Sequence, residues 1–187
     1  MPKNIWVCLG SGESLNDQDI SYARSKGVRF AVCNDNWQKA PDCEIVVAFD
    51  YKWWEMYHTE VDVATKAEFW TGSVRAEKQF GLHRFKILPG IGWSTRRGFV
   101  HNVGLSGGIL LQRVGWEHPD LIVLLGYDMQ GSHWFGDHPP QLGNQTELAD
   151  AIPDFNRLAQ QAPCKVVNCS RQTALDCFPR RKITEVL

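Results

Sequence analysis

Short, continuous apolar runs recur along this chain, and most of them end in a glycine or a polar residue. They span residues 5–9, 28–33, 45–49 and 121–125, and residues 165–168 complete the pattern. A strand buried on both faces has such a run because neither face meets water, and strands of this kind are typical of parallel sheets. Residues 68–70 and 85–88 are predicted to form further short strands. The chain is therefore predicted to build a buried, mostly parallel sheet.

Helical segments are predicted between these strands. They are a first helix capped by Ser14 or Asp17 and ending before Gly27, residues 51–64, a helix that begins at Ser106, and residues 147–162. The repeated alternation of strand and helix predicts a Rossmann-like, doubly wound α/β fold with helices on both faces of the sheet. No internal repeat or linker divides the chain, so we expect a single domain over residues 1–187.

The composition narrows the possible functions. A formal net charge of −1 gives the chain no general attraction to nucleic acid or to anionic membranes. The chain has no run of about 18 apolar residues, and its first apolar stretch is too short for a secretory signal. We therefore predict a cytoplasmic protein without membrane association. The basic clusters Arg96-Arg97 and Arg180-Arg181-Lys182 are interpreted as a solvated loop and a solvated tail.

The predicted strand ends are the first place to look for a binding site. They carry Gly10-Ser11-Gly12, Asn34, Asp50, Asp128 and Asn168. In open α/β sheets, ligands bind outside the carboxyl ends of the strands, where the strand order reverses. The glycine turn lets backbone amides approach a phosphate or a ribose, although it matches neither Walker A nor GxGxxG. Ser106-Gly107 opens a predicted helix, whose amino terminus favours an anion.

The segment 128–138 is the densest group of chemically active side chains. It contains Asp128, His133, Asp137 and His138 within eleven residues. Histidine is the side chain best suited to accept a proton near neutral pH, so this segment is a candidate source of a general base. Two alternatives stay open: a pair of hydrogen-bonded loop histidines, and a metal site made by these four side chains.

Several motifs, taken in order, resemble a known family. They are VCLGSGESL, AVCNDNW, VVAFD, GLSGG, VLLGYDM and GSHWFGDH, and the resemblance that they mark covers most of the chain, from about residue 5 to residue 178. This series resembles the bacterial lipooligosaccharide sialyltransferases. It is also similar to the 6-hydroxymethylpterin pyrophosphokinase-like superfamily and to small phage proteins, for which the location would be the host cytoplasm.

The resemblance implies roles for particular residues. Those expected to hold the nucleotide are Gly10, Ser11, Gly12, Asn34, Asp50, Ser106, Gly107 and Gly126. His138 matches the family's general base, with His133 second, and Asp128 matches the acid after the central strand. The chain departs from the sialyltransferase pattern at three positions: Asp50 replaces an asparagine, Val103 replaces an arginine, and Asp137 is inserted before His138. Arg96 or Arg97 is a candidate replacement for the missing arginine.

Three functions are consistent with these residues. The first is a glycosyltransferase that uses a nucleotide-sugar donor and a histidine base, with either a glycan or a modified nucleic acid as acceptor. The second is a magnesium-dependent phosphoryl or pyrophosphoryl transferase that uses ATP, with the metal held by Asp50 and Asp128. The third is a non-catalytic protein that sequesters a nucleotide.

Overall fold

The computed structural model of the chain describes residues 3–142 and 148–187. Within these residues the strands and α-helices are, in chain order, β1 (Ile5–Leu9), α1 (Asp17–Ser25), β2 (Arg29–Cys33), β3 (Ile45–Val47), α2 (Tyr51–Ala64), β4 (Glu68–Thr71), α3 (Val74–Phe80), β5 (His83–Arg84), β6 (Lys86–Leu88), β7 (Phe99–His101), α4 (Ser106–Gly115), β8 (Leu121–Leu125), α5 (Ile152–Gln160) and β9 (Lys165–Asn168). Short 3₁₀ helices span Asn34–Gln38, Pro140–Leu142, Leu148–Ala151 and Ile183–Glu185.

In the described part of the chain, seven strands form one parallel sheet in the order β5-β4-β3-β2-β1-β8-β9. The chain proceeds outward from β1 through β2 to β5 and then returns to place β8 on the other side of β1. Leu9 pairs with Leu125 at the carboxyl ends of these two neighbours. The strand order therefore reverses between β1 and β8, which is where an α/β sheet of this type forms its ligand crevice.

Side chains alternate across β1 and feed two separate cores. Trp6 and Cys8 pack on one face, together with residues of α4 and α5, whereas Val7 and Leu9 pack on the other face, with residues of α1, α2 and α3. Strand crossovers in such sheets are right-handed, so reversing the direction of travel moves the connecting helices to the opposite face. The predicted doubly wound α/β fold is confirmed.

The boundaries of three predicted elements need correction. Asn16 caps α1, instead of Ser14 or Asp17, because its side chain accepts the Asp19 N–H at 3.0 Å. The predicted strand 85–88 begins at Lys86 and pairs with β7 in a separate two-stranded sheet. The predicted helix 147–162 consists of the 3₁₀ turn Leu148–Ala151 followed by α5, and its first residue lies outside the described residues.

Candidate functional site

A cleft of ≈ 100 Å³ lies at the carboxyl ends of β1, β2 and β8. Nine of the eleven residues that the sequence predicted for the site line it: Gly10, Ser11, Gly12, Asn34, Ser106, Gly107, Gly126, Asp128 and His133. Leu105, Tyr127, Met129 and Phe155 add apolar walls. The cleft therefore coincides with the reversal point of the sheet, and loops more than 90 residues apart in the sequence meet there.

The glycines after β1 accommodate the loop after β8. A Cβ on Gly12 would lie 2.3 Å from Cγ of Asp128, and one on Gly10 would lie 2.6 Å from the carbonyl oxygen of Gly126. The Gly10 N–H donates to the Leu125 carbonyl at 2.8 Å, and the Gly12 N–H donates to the Gly126 carbonyl at 2.9 Å. The expected use of these amides on a phosphate is therefore wrong for Gly10 and Gly12, since both already bond to the neighbouring loop.

The amino terminus of α4 forms another wall of the cleft. Its cap residue, Leu105, makes no side-chain hydrogen bond to the first turn, and Ser106 and Gly107 both line the cleft. The first N–H groups of a helix have no intrahelical acceptor, and the helix dipole places partial positive charge at this end. An uncapped helix start at a cleft is therefore suited to an anion.

Asp128 holds the loop after β1 and the loop after β8 together. The carboxylate is 3% exposed and accepts the Ser14 N–H at 2.7 Å and the Ser14 hydroxyl at 2.5 Å. Burial raises the pKa of Asp128 above its usual range, although both bonds from Ser14 oppose the shift. We interpret Asp128 as a residue that fixes the loop geometry, which differs from the catalytic role suggested by the sequence.

Asn36 supports the walls of the cleft without lining it, and it was not predicted from the sequence. It is fully buried, and its amide nitrogen lies 3.1 Å from the Leu9 carbonyl and 3.0 Å from the Ser11 hydroxyl. Its side-chain oxygen accepts the Trp134 indole N–H at 2.8 Å. Asn36 thus links β1, the turn after β2 and residues 128–138, which are called the histidine segment below. The neighbouring Asn34 lines the cleft with a left-handed φ of 48°.

The histidine segment is fixed against the turn after β1. Gly12 and His133 form an antiparallel bridge, and the Trp134 N–H donates to the Ser11 carbonyl at 3.0 Å. His133 lines the cleft, whereas His138 packs beside it with a ring-centroid distance of 4.6 Å. The Nδ1 atom of His138 is buried without a hydrogen-bond partner among the described residues. His133 is therefore the histidine that a ligand in this cleft would meet.

Both imidazoles are biased towards the neutral form. Burial lowers the pKa of His133, and the neighbouring His138 lowers it further, while the carboxylates of Asp35 and Asp137 oppose the shift. Burial also lowers the pKa of His138, against the effect of Asp137. A neutral imidazole is the form that accepts a proton, so both rings suit base chemistry near pH 7.

These pKa shifts predict a pH dependence of stability. The unfolded chain binds protons at the ordinary histidine pKa of 6.5, whereas the folded chain resists them. The stability that these two neutral histidines contribute is therefore fully present above pH 6.5. It is lost as the pH falls through their lower pKa values in the folded protein. We expect the urea midpoint of the protein to decrease between about pH 7.5 and about pH 5.5, and to decrease less in the His133→Gln/His138→Gln variant. An equal decrease in both proteins would contradict the prediction.

Besides His138, three residues that the sequence suggested for the site lie outside the cleft. Asp50 is exposed at the start of α2 and is absent from the lining, because β2 separates the end of β3 from the end of β1. Arg96 stacks on Phe99 at 3.7 Å, and Arg97 approaches Glu117 at 3.8 Å. Neither arginine lines the cleft. The suggested replacement of the missing family arginine is therefore wrong for this structure.

The proposed metal ligands do not converge. In the part of the chain that the structure describes, no three histidine, cysteine, aspartate or glutamate side chains come together in a way that could hold a metal ion. This includes Asp128, His133, Asp137 and His138. Of the two carboxylates proposed to hold magnesium, only Asp128 lines the cleft. Cys33 lines the cleft, but burial raises its pKa to about 12, which disfavours a thiolate nucleophile.

Comparisons with known proteins leave the family open. No protein-family model matches the chain, and no curated protein or solved structure is significantly similar to it. Among the described residues, no helix has both the length and the apolar character needed to cross a membrane.

Proposed function

We propose that the chain is a nucleotide-dependent glycosyltransferase, in which this cleft holds the phosphate of a nucleotide-sugar donor and His133 is the general base. The observation that carries the proposal is the meeting of the uncapped α4 start with His133 in one cleft. The helix start supplies N–H donors for an anion, and the imidazole supplies a proton acceptor. Both lie at the point where sheets of this type bind nucleotides.

The size of the cleft suits part of such a donor. Pockets that enclose a whole small molecule usually measure roughly 300–1,000 Å³, whereas this cleft measures ≈ 100 Å³. A space of this size holds a phosphate group and the atoms next to it. The nucleoside and the sugar then extend past its mouth. The resemblance to sialyltransferases favours a cytidine nucleotide as donor, and a glycan or a modified nucleic acid as acceptor.

In the proposed reaction, a hydroxyl of the acceptor attacks the anomeric carbon of the donor sugar. His133 accepts the hydroxyl proton as the new glycosidic C–O bond forms. The bond between the anomeric carbon and the phosphate oxygen breaks, and the nucleotide leaves with the electron pair. The amino terminus of α4 stabilises the negative charge that develops on this phosphate.

The magnesium-dependent alternative has less support from the geometry. Its two carboxylates are apart: Asp50 is exposed outside the cleft, and Asp128 accepts two hydrogen bonds from Ser14. We accordingly expect transfer by this protein to be insensitive to EDTA. A non-catalytic, sequestering role requires the same binding cleft and differs only in the absence of turnover.

Donor binding can be tested at the cap of α4. The Leu105→Asp variant places a carboxylate where the phosphate is proposed to bind, and it also supplies the side-chain cap that the helix lacks. Leu105→Asn supplies a neutral cap of the same size. We expect CMP, UDP, GDP or ADP compounds to raise the melting temperature of the wild type, and the affinity for the best of them to fall roughly tenfold or more in the Asp variant relative to Asn.

Two outcomes would contradict this proposal. Equal nucleotide affinities in the two Leu105 variants would mean that the phosphate does not bind at the start of α4. Nucleotide binding without transfer or donor hydrolysis, with any of the sugar donors tried, would favour the sequestering role instead.

A further inference from the structure

The basic segment Arg180-Arg181-Lys182, which the sequence analysis interpreted as a solvated tail, is fixed against the edge of the sheet. The Asn168 N–H donates to the Pro179 carbonyl at 2.9 Å, and the Arg181 N–H donates to the Asn168 carbonyl at 3.1 Å. Arg180 forms a parallel bridge with Asn168 at the end of β9. Ile183, which follows directly, is 5% exposed. The backbone that carries the three positive charges is therefore held in place.

This segment forms one wall of a second cleft, which measures ≈ 670 Å³ and is separate from the cleft at the sheet reversal. Cys169, Ser170 and Arg171, which follow β9, form another wall, and Asp19 of α1 also contributes. Four positive and two negative side chains line the space. Its volume falls within the range of roughly 300–1,000 Å³ that is usual for pockets that bind small molecules.

The two negative charges of this second cleft offset only part of its positive charge. The Asp19 carboxylate accepts hydrogen bonds from Arg171 at 2.9 and 3.1 Å. The Glu185 carboxylate accepts a neutral donor, the backbone N–H of Lys182, at 3.4 Å. By contrast, Arg180, Arg181 and Lys182 form no ion pair with any carboxylate in residues 3–142 and 148–187. Three positive charges therefore face a concave space in which, among the described residues that line it, Glu185 supplies the one carboxylate without an arginine partner.

The guanidinium groups of Arg180 and Arg181 are each anchored to a backbone carbonyl. Arg180 donates to the Arg171 carbonyl, and Arg181 donates to the Arg180 carbonyl at 2.9 Å. Each guanidinium has five N–H donors, so donors remain for a ligand after these bonds. Planar guanidinium groups match phosphate oxygens in a bidentate fashion, and Lys182 adds a compact charge.

We propose that this second cleft binds a small phosphate-bearing molecule, at a site distinct from the one proposed for the nucleotide-sugar donor. The three cations, which outnumber the Glu185 carboxylate beside them, supply the affinity, and the volume accommodates a molecule of the size of a nucleoside phosphate or a sugar phosphate. The site does not depend on the proposed glycosyl transfer, because none of its residues lines the first cleft.

The probe for this site is inorganic pyrophosphate, titrated by calorimetry at low ionic strength. The test variant is Arg180→Gln/Arg181→Gln/Lys182→Gln. The matched control is Lys52→Gln/Lys66→Gln/Lys78→Gln, which removes the same charge from exposed lysines outside both clefts. We expect the affinity to fall roughly tenfold or more in the test variant and to stay unchanged in the control, since charged hydrogen bonds are lost only in the former.

A second variant guards against misfolding of the first. Arg180→Lys/Arg181→Lys keeps the charge but loses the planar donors, and we expect an intermediate affinity. The proposal is overturned if both triple variants bind equally well, or if pyrophosphate binding survives in the test variant and is lost in Leu105→Asp. Retardation of duplex DNA without any binding of pyrophosphate would also overturn it, in favour of a nucleic-acid surface.

Discussion

Replacing His133 with glutamine is expected to slow glycosyl transfer by roughly 10²–10⁴-fold, the usual contribution of a positioned general base. His133 is the one imidazole among the residues that line the described cleft, and its pKa is lowered mainly by burial. Glutamine keeps a polar side chain of similar reach but cannot accept the acceptor's proton at neutral pH. The measurement is kcat with the nucleotide-sugar donor chosen from the melting-temperature test of CMP, UDP, GDP and ADP compounds. The Kd for this donor should change little.

Two matched variants distinguish chemistry from structure. His138→Gln removes the ring that packs against His133, at a centroid distance of 4.6 Å, and is expected to lower kcat less than His133→Gln does. His83→Gln alters an exposed histidine outside the cleft and should leave kcat unchanged. If His138→Gln abolishes transfer while His133→Gln retains it, the base is His138, as the family resemblance implies.

The main sheet was predictable because its strands are buried on both faces. In β1 and β8 nearly every residue is apolar, since Val7 and Leu9 meet one core and Trp6 and Cys8 the other. Such runs stand out from their surroundings without any knowledge of their partners. The limits predicted for helix α2, residues 51–64, also agree with the structure.

Short elements that depend on distant partners were missed. Strand β5 has two residues, and β7 becomes a strand only through pairing with β6 more than ten residues earlier. The helix α3 spans seven residues, fewer than periodicity needs for a clear signal. Local pattern carries little information in these cases because the stabilising contacts are not local.

The candidate site was predictable in position and less so in detail. Polar residues at strand ends mark the correct edge of the sheet, whatever their individual roles. The sequence does not reveal that Gly12 faces Asp128, or that Ser14 bonds to the same carboxylate, because these contacts join loops 114 or more residues apart. For the same reason, the glycine turn after β1 was interpreted as a phosphate-binding loop. In the structure, Gly10 and Gly12 allow the loop after β8 to pack closely against this turn.

Replacing Gly126 with alanine is expected to destabilise the protein by about 3 kcal/mol. Gly126 has a φ of +70°, a left-handed conformation that costs other residues about 1–2 kcal/mol. In addition, the new Cβ would lie 2.4 Å from the Gly10 carbonyl oxygen. This oxygen belongs to backbone at the end of β1, so relief requires the two loops of the cleft to separate, and overpacking of this kind costs about 1–3 kcal/mol. The measurement is the free energy of unfolding in urea.

Gly27→Ala is the control that isolates the steric contribution. Gly27 has almost the same φ, +68°, but apart from its chain neighbours no atom of the described residues lies within 4 Å of the position that its Cβ would take. Gly27→Ala should therefore lose only the conformational part, about 1–2 kcal/mol. A substantially larger loss at Gly126 means that the loops after β1 and β8 touch as described, and the nucleotide-induced rise in melting temperature should shrink in that variant. Equal losses at the two glycines would mean that the loops stand apart, and the cleft between them would then lack the shape on which donor binding depends.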